Sequence, residues 1–161
     1  MTGASGAAAA RQAPPGLAIV GAPMPQRDQV HNVVCTALER DGWRITHDPL
    51  LLPGGSHNLY VDLGADRVLA AERAEQRIAV EVKGFTGRSE ITELERAIGQ
   101  YVLYETLLRK SHPGRVLLLG VPSPVFDSLL SSELGRTLRE GFPLRLLVFE
   151  PVRAEVVQWI W

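Results

Sequence analysis

An acidic and a basic side chain stand two residues apart in an apolar run near the middle of the chain. Glu81 and Lys83 both lie in the run 78–83, where aliphatic residues alternate with them. Because successive side chains of a β-strand point to opposite faces, this alternation predicts a strand with Glu81 and Lys83 on one face. The opposite, apolar face is predicted to be core and consists of Ile78, Val80 and Val82.

A second carboxylate comes from an earlier apolar run, residues 59–63, which contains Asp62. If the two runs pair, Asp62, Glu81 and Lys83 converge on one open face. Two carboxylates can hold Mg²⁺ or Mn²⁺, and a neighbouring lysine can orient an attacking water or offset charge on a phosphate. Asp62 and Glu81 are therefore predicted metal ligands. The alternative is a solvated strand face that carries a salt bridge.

The register between the two runs decides which aspartate reaches the site. A turn over residues 74–76 would place Asp66 opposite Gly84 and Asp62 beyond it. A bulge at Gly64 would bring Asp62 back towards Lys83. Asp62 is accordingly the first choice for the second carboxylate, and Asp66 is the fallback.

Composition bounds the class of protein. The 161 residues suit one domain, predicted over residues 26–161, behind an Ala/Gly/Pro-rich tail (residues 1–25) that is predicted to be disordered. A net charge of −1 is not that of a bulk nucleic-acid binder, so any DNA contact must come from a local patch, a dimer or a partner. The single Cys35 excludes an internal disulfide. No apolar run approaches transmembrane length, so we expect a cytoplasmic protein without a membrane partner.

Hydrophobic periodicity and turn residues predict an α-β-β-β-α-β-α-β order. This order gives an α/β fold in which a mixed sheet is flanked by helices. Ser89 is the predicted cap of the second helix. The predicted helices span residues 28–40, 90–110 and 123–139, and the predicted strands span 43–47, the hairpin 59–83, 115–121, 144–149 and 154–161.

Six short motifs occur in order along the chain: Asp41-Gly42-Trp43, Ile45-Thr46-His47-Asp48-Pro49-Leu50, Asp62-Leu63-Gly64-Ala65, Ala70-Ala71-Glu72, Ile78-Ala79-Val80-Glu81-Val82-Lys83 and Gly99-Gln100-Tyr101. Together they resemble the XisH family, the excision-controlling factors first associated with removal of a DNA element in cyanobacteria. The resemblance covers about residues 28–159 and implies a restriction-endonuclease-like fold of the PD-(D/E)XK superfamily. It also implies a role in DNA excision beside a small XisI-like partner. Gly84 departs from the family, whose members tend to carry Ser there.

The superfamily resemblance adds further candidates. Gln100 and Tyr104 lie one helical turn apart and are similar to a helix motif of exonuclease-type members, whose glutamine approaches the metal. The alternative is a polar helix position beside a core tyrosine. His31 lies on the first helix, near where junction resolvases of this fold carry a catalytic Glu, and could hydrogen-bond a water or a phosphate. It could equally be an exposed, inert residue.

Two functions remain open at this point. The first is a Mg²⁺-dependent DNA endonuclease of the XisH type, in which Asp62, Glu81, Lys83 and Gln100 are catalytic. The second is a catalytically silent nuclease-fold subunit that binds DNA and an XisI-like partner. The intact Asp62, Glu81 and Lys83 favour the enzyme, whereas the near-neutral charge and Gly84 favour the binding subunit.

Overall fold

The computed structural model describes residues 26–69 and 74–161, so the predicted tail lies outside the described residues. Its helices are α1 (Gln26–Arg40), α2 (Glu90–Ser111), α3 (Ser123–Val125), which continues into a π-helical segment (Phe126–Leu130), and α4 (Glu133–Gly141). Its strands are β1 (Arg44–His47), β2 (Leu50–Leu52), β3 (Leu59–Val61), β4 (Leu63–Leu69), β5 (Ala74–Val82), β6 (Val116–Pro122), β7 (Leu146–Glu150) and β8 (Glu155–Ile160).

The main sheet is mixed, which confirms the predicted α/β class. Its strand order is β1-β4-β5-β6-β7-β8, and β2 pairs with β3 in a separate two-stranded sheet. Strands β5, β6 and β7 are parallel, while β1, β4 and β8 run antiparallel to their neighbours. Helix α2 connects β5 to β6, because a parallel pair needs a crossover between its strands. Strand β8 lies at the edge of the sheet, as predicted.

Helices cover both faces of the sheet and define two apolar clusters. Helix α1 packs on one face, where Val34 and Leu38 meet Ile78 and Val80 of β5. Helix α2 packs on the other face, where Tyr101 and Leu108 lie in one cluster with Ala79. Strand β5 is therefore buried on both sides. The predicted open face of β5 is wrong for this reason, since α2 covers the face that carries Glu81.

The predicted register of the hairpin is also wrong. Asp66 pairs with Arg77 rather than with Gly84, a difference of seven residues, and Leu69 pairs with Ala74. The residues predicted as the turn, 74–76, are therefore the first residues of β5. The observed register buries Leu63 and Ala65 of β4 on the α1 face. This burial outweighs the tendency of the polar residues 74–76 to form a turn.

Two further elements differ from the prediction. The helix predicted over 123–139 is interrupted, because Ser132 caps a new helix by accepting a hydrogen bond from the Gly135 N–H at 3.2 Å. The predicted bulge at Gly64 is instead a bulge in β1, where Ile45 pairs with Ala65 and His47 pairs with Gly64. None of the helices within residues 26–69 and 74–161 has the length and apolarity needed to span a membrane.

Candidate active site

Asp62 sits where the chain leaves one sheet and enters the other. It is a bend between β3 and β4, flanked by Val61 and Leu63, which are both fully buried. Val61 packs in the α2 cluster and Leu63 in the α1 cluster. The bend therefore reverses the alternation that predicted both residues on one face, and Asp62 is held between two anchored neighbours.

Hydrogen bonds tie Asp62 to the end of β5. The Asp62 N–H donates to Glu81 Oε2 at 3.3 Å, and the Val82 N–H donates to Asp62 Oδ2 at 2.9 Å. Lys83 Nζ lies 3.2 Å from Glu81 Oε1. The structure thus brings together Asp62, Glu81 and Lys83, in the grouping that the sequence predicted.

Glu81 is a carboxylate in an unfavourable environment. Its residue surface is only 2% exposed. Burial raises the pKa of Glu81, the negative charge of Asp62 raises it further, and Lys83 opposes both effects. A buried carboxylate that faces a second one is stabilised by a cation, because the cation favours the charged form of both.

A cleft of about 250 Å³ opens beside these groups. Asp62 and Lys83 line it together with Gln100, which reaches it from α2. The Gln100 Oε1 atom is buried and has no hydrogen-bond partner among the described residues. A buried amide oxygen without a partner costs folding free energy, and a ligand or water in the cleft would satisfy it.

Sequence reasoning missed the role of Glu93 in this cleft. Glu93 lies in the first turn of α2, where a carboxylate suits the positive end of the helix dipole, and Ser89 caps that helix as predicted. Glu93 also lines the cleft and accepts a hydrogen bond from the Gly87 N–H. It precedes Gln100 by seven residues, or about two helical turns, so helical spacing would have placed both on one face.

The donor set suits a hard divalent cation. Asp62 and Glu81 would hold Mg²⁺ or Mn²⁺ through oxygen, which these ions prefer, and the amide oxygen of Gln100 is of the same type. The cleft lining includes the carboxylates of Asp62 and Glu93 and one ammonium group, that of Lys83, and the Glu81 carboxylate lies behind them. The orphaned Gln100 Oε1 is the observation that fits a bound ion or its water shell.

The other predicted site residues fall in three different places. His31 lines the cleft, and its Nε2 lies 2.9 Å from the carboxylate of Asp48. Asp66 lies four residues along the chain from Asp62 and pairs with Arg115 at 2.9 Å, so it is not brought to the cleft. Tyr104 is 8% exposed and belongs to the apolar cluster under α2.

The loop after Lys83 closes one side of the cleft. Phe85 lies in the left-handed backbone region, with φ of 54°, and its side chain is 8% exposed in the α2 cluster. That conformation costs on the order of 1 kcal/mol for a non-glycine residue and persists because burial of the ring holds it. Gly84 faces Val30 of α1, where an added Cβ would lie 3.3 Å from Val30 Cγ2.

Comparisons with known proteins agree with one another. The family model described as XisH protein matches residues 24–157. The chain is similar to the crystal structure of an XisH family protein from Nostoc punctiforme PCC 73102, with 36% identity, a TM-score of 0.75, and coverage of 83% of this chain and 100% of that one. It is also similar to an FdxN element excision controlling factor protein from Anabaena variabilis, with 38% identity, a TM-score of 0.76, and coverage of 84% and 100%. No curated protein matches the chain.

Proposed function

This chain belongs to the XisH family, and from that membership we propose that it is a factor in the excision of a DNA element. A relative with 38% identity carries the description FdxN element excision controlling factor. We further propose that the cleft hydrolyses phosphodiester bonds in DNA, in the manner of the PD-(D/E)XK nucleases. The grouping of Asp62, Glu81 and Lys83 beside the unpartnered Gln100 Oε1 carries this second proposal.

Each side chain has a role that follows from its position. Asp62 and Glu81 would hold Mg²⁺ or Mn²⁺. The Glu81 carboxylate accepts from the Asp62 N–H and the Asp62 carboxylate accepts from the Val82 N–H, which holds the two carboxylates close together. When bound, the cation would supply Lewis-acid polarisation of a phosphoryl oxygen. Lys83 would orient the attacking water and offset the negative charge that develops on the phosphate. Gln100 would accept a hydrogen bond from a water in the cleft.

The reaction is a simple hydrolysis. A water oxygen bonds to phosphorus and gives up a proton to solvent, the bond from phosphorus to the leaving sugar oxygen breaks, and that oxygen takes up a proton from solvent. Lys83 is well placed for charge stabilisation because its ammonium group lies at the cleft wall beside a carboxylate rather than in free solvent. Its side chain is 25% exposed, so it is anchored yet reachable by a substrate.

The test is nicking of supercoiled and branched DNA with Mg²⁺ or Mn²⁺. The wild type should cut, and EDTA should stop it. Lys83→Ala should lose roughly 100-fold or more of the rate, which is the usual effect of removing a group that stabilises transition-state charge. Glu81→Ala should lose both cutting and cation binding. The matched control is Lys110→Ala, because Lys110 is the only other lysine in the chain and is exposed at the end of α2.

The same assay separates the enzyme from its rival. If the wild type, Lys83→Ala and Glu81→Ala preparations all cut DNA equally, that activity is contamination and the hydrolysis proposal fails. The chain would then act as a nuclease-fold subunit that binds DNA and a partner. The net charge of −1 is compatible with that role, since a partner would supply the missing positive surface.

A small XisI-like protein is the partner that family membership suggests. Co-expression with such a protein should give a complex that survives gel filtration at micromolar concentration, and the nicking assay should be run with and without it. The chain alone serves as the reference, and its elution volume also reports whether it forms a homodimer. Separate elution of the two proteins would remove support for the partnership.

A further inference from the structure

Three side chains of different chemistry meet beside the cleft, outside the carboxylate pair. His31 and Cys35 lie one turn apart on α1, and Asp48 follows β1. A ligating nitrogen, sulfur and oxygen from these residues all lie within 4.8 Å of one another. His31 Nε2 is 2.9 Å from each of the two carboxylate oxygens of Asp48.

We propose that His31, Cys35 and Asp48 form a binding site for one divalent cation of the zinc class. Imidazole nitrogen, thiolate sulfur and carboxylate oxygen are the donors that Zn²⁺ takes in proteins, whereas Mg²⁺ selects oxygen alone. Three protein ligands leave the fourth tetrahedral position for water or a substrate atom. This cluster therefore selects a different metal from the Asp62 and Glu81 pair and shares no ligand with it.

The elements that carry the ligands hold them close to the required geometry. Ligand atoms around a tetrahedral zinc lie about 3.5 Å apart. The His31 and Asp48 atoms, now 2.9 Å apart, would therefore separate slightly, and the widest separation in the group, at most 4.8 Å, would shorten by up to roughly 1 Å. Asp48 can supply that movement, because its side chain is 47% exposed. Helix α1 is fixed by the buried Val34 and Leu38, which keep His31 and Cys35 on the same helical face.

An ion pair between His31 and Asp48 explains only part of the arrangement. Cys35 packs at the edge of the α1 cluster, and the ion pair does not account for its sulfur also lying within the same 4.8 Å group. When the metal binds, a Zn–S bond forms and the thiol proton passes to solvent. Because His31 also lines the cleft, a cation held here would add positive charge at the cleft wall.

The inference is tested on the full chain with Co²⁺ as a spectroscopic probe for zinc. The wild type should bind one Co²⁺ per chain at this cluster, with a near-ultraviolet thiolate-to-cobalt charge-transfer band, and excess Zn²⁺ should abolish the band. Cys35→Ser should remove it. His31→Gln and Asp48→Asn should each weaken Co²⁺ binding by roughly tenfold or more. Even the loss of a residue that only hydrogen-bonds to a metal ligand lowers metal affinity by roughly tenfold or more, and these two residues are ligands themselves.

Controls separate this site from the proposed catalytic one. His57→Gln is the matched histidine control, because His57 lies in an exposed loop, and it should leave the band unchanged. Glu81→Ala should also keep the band, so failure of the nuclease proposal does not affect this result. Asp48→Asn changes an exposed side chain and keeps its shape, so it reports on binding even if Cys35→Ser unfolds. Absence of a thiolate band in the wild type, or unchanged affinity in both His31→Gln and Asp48→Asn, would overturn the inference.

Discussion

Glu81 shows most directly how a single residue can serve a function at the expense of stability. It is buried against α2 although its charged form is disfavoured there. Lys83 compensates in part, with its Nζ 3.2 Å from Glu81 Oε1, while Asp62 adds repulsion. A protein selected only for stability would place an uncharged residue at this position, so the buried carboxylate supports the proposed role of Glu81 as a metal ligand.

The raised pKa of Glu81 predicts a pH dependence of the metal-free protein. The folded state holds the Glu81 proton more tightly than the unfolded state does. The free energy of unfolding should therefore fall as pH rises from the ordinary glutamate pKa through the raised one. Glu81→Gln should lack this loss and should melt at a higher temperature than the wild type at neutral pH.

The measurement is thermal unfolding of both proteins across pH in EDTA, repeated in millimolar Mn²⁺. Subtracting the Glu81→Gln curve isolates Glu81 from other titrating groups, of which Asp62 and Lys83 face it directly. Mn²⁺ should raise the melting temperature of the wild type alone, because only the wild type offers both carboxylates. Equal responses of the two proteins to Mn²⁺ would count against a metal site here.

Substituting Asp62 and Asp66 separately shows which aspartate supplies the second carboxylate of the proposed metal site. Asp66 accepts a charged hydrogen bond from Arg115, whose side chain is 6% exposed, so Asp66→Asn should lower the free energy of unfolding by roughly 1–3 kcal/mol. It should leave the response to Mn²⁺ intact. Asp62→Asn should abolish that response. Urea unfolding and Mn²⁺-dependent melting of both variants check the prediction, and loss of the Mn²⁺ response in Asp66→Asn would assign the second carboxylate to Asp66.

At the scale of elements, the break between the π-helical segment and α4 depends on close backbone approach. Gly135 lies in the first turn of α4, where an added Cβ would be 2.4 Å from Leu129 O and 2.5 Å from Leu130 Cα. Backbone atoms cannot yield as the tip of a flexible side chain can. The absence of a side chain at this position is therefore what lets α4 begin so soon after the preceding segment.

Gly135→Ala and Gly99→Ala should change stability in opposite directions. Gly135→Ala should cost about 1–3 kcal/mol or more through the steric clash. Gly99→Ala is the matched control, because Gly99 is exposed within α2 and an added Cβ there would meet nothing within 4 Å. It should stabilise the protein by roughly 0.5–1 kcal/mol by reducing backbone entropy in the unfolded state. Urea unfolding of both variants measures the change in the free energy of unfolding. Equal changes at the two positions would refute the explanation by close backbone approach.

At the scale of the whole molecule, one buried arginine links several strands. Arg115 Nη1 donates to the backbone carbonyls of Ala65 and Ile78, at 3.3 and 2.8 Å, as well as to Asp66. It thereby joins β4 and β5 to the start of β6. The clamp contacts the middle of β5 at Ile78, three residues before Glu81, so it holds the β4–β5 register next to the strand end that presents the cleft.

The boundary of the domain yields a prediction for the whole chain. Residues 1–25 contain few large apolar groups, so ordering them would not be offset by burial. The family match begins at residue 24. The free energy of unfolding of a protein comprising residues 26–161 should therefore lie within about 0.5 kcal/mol of that of the full chain, because the deletion removes no packed feature. Limited proteolysis should also trim the full chain to near Gln26, and a large loss of stability on trimming would contradict the predicted boundary.

The sequence alone determined the local features. The strand that carries Glu81, the Ser89 cap and the apolar run that became β6 all depend on neighbours within a few residues, and each was predicted. The grouping of Asp62 with Glu81 was also predicted, although for the wrong register. The motifs also indicated the family, because a family resemblance depends on which residues follow one another in the sequence and does not require a structure.

Only the tertiary structure decided the rest, because burial is a property of surfaces that are distant in the chain. Packing of β4 against α1 selected the register that pairs Asp66 with Arg77, and it separated Asp66 from the cleft. On the face that α2 covers, Glu81 became buried, and Gln100 Oε1 has no hydrogen-bond partner within residues 26–69 and 74–161. No pattern along the strand could show which helix would cover it, and that coverage produced the environment of the proposed cation site.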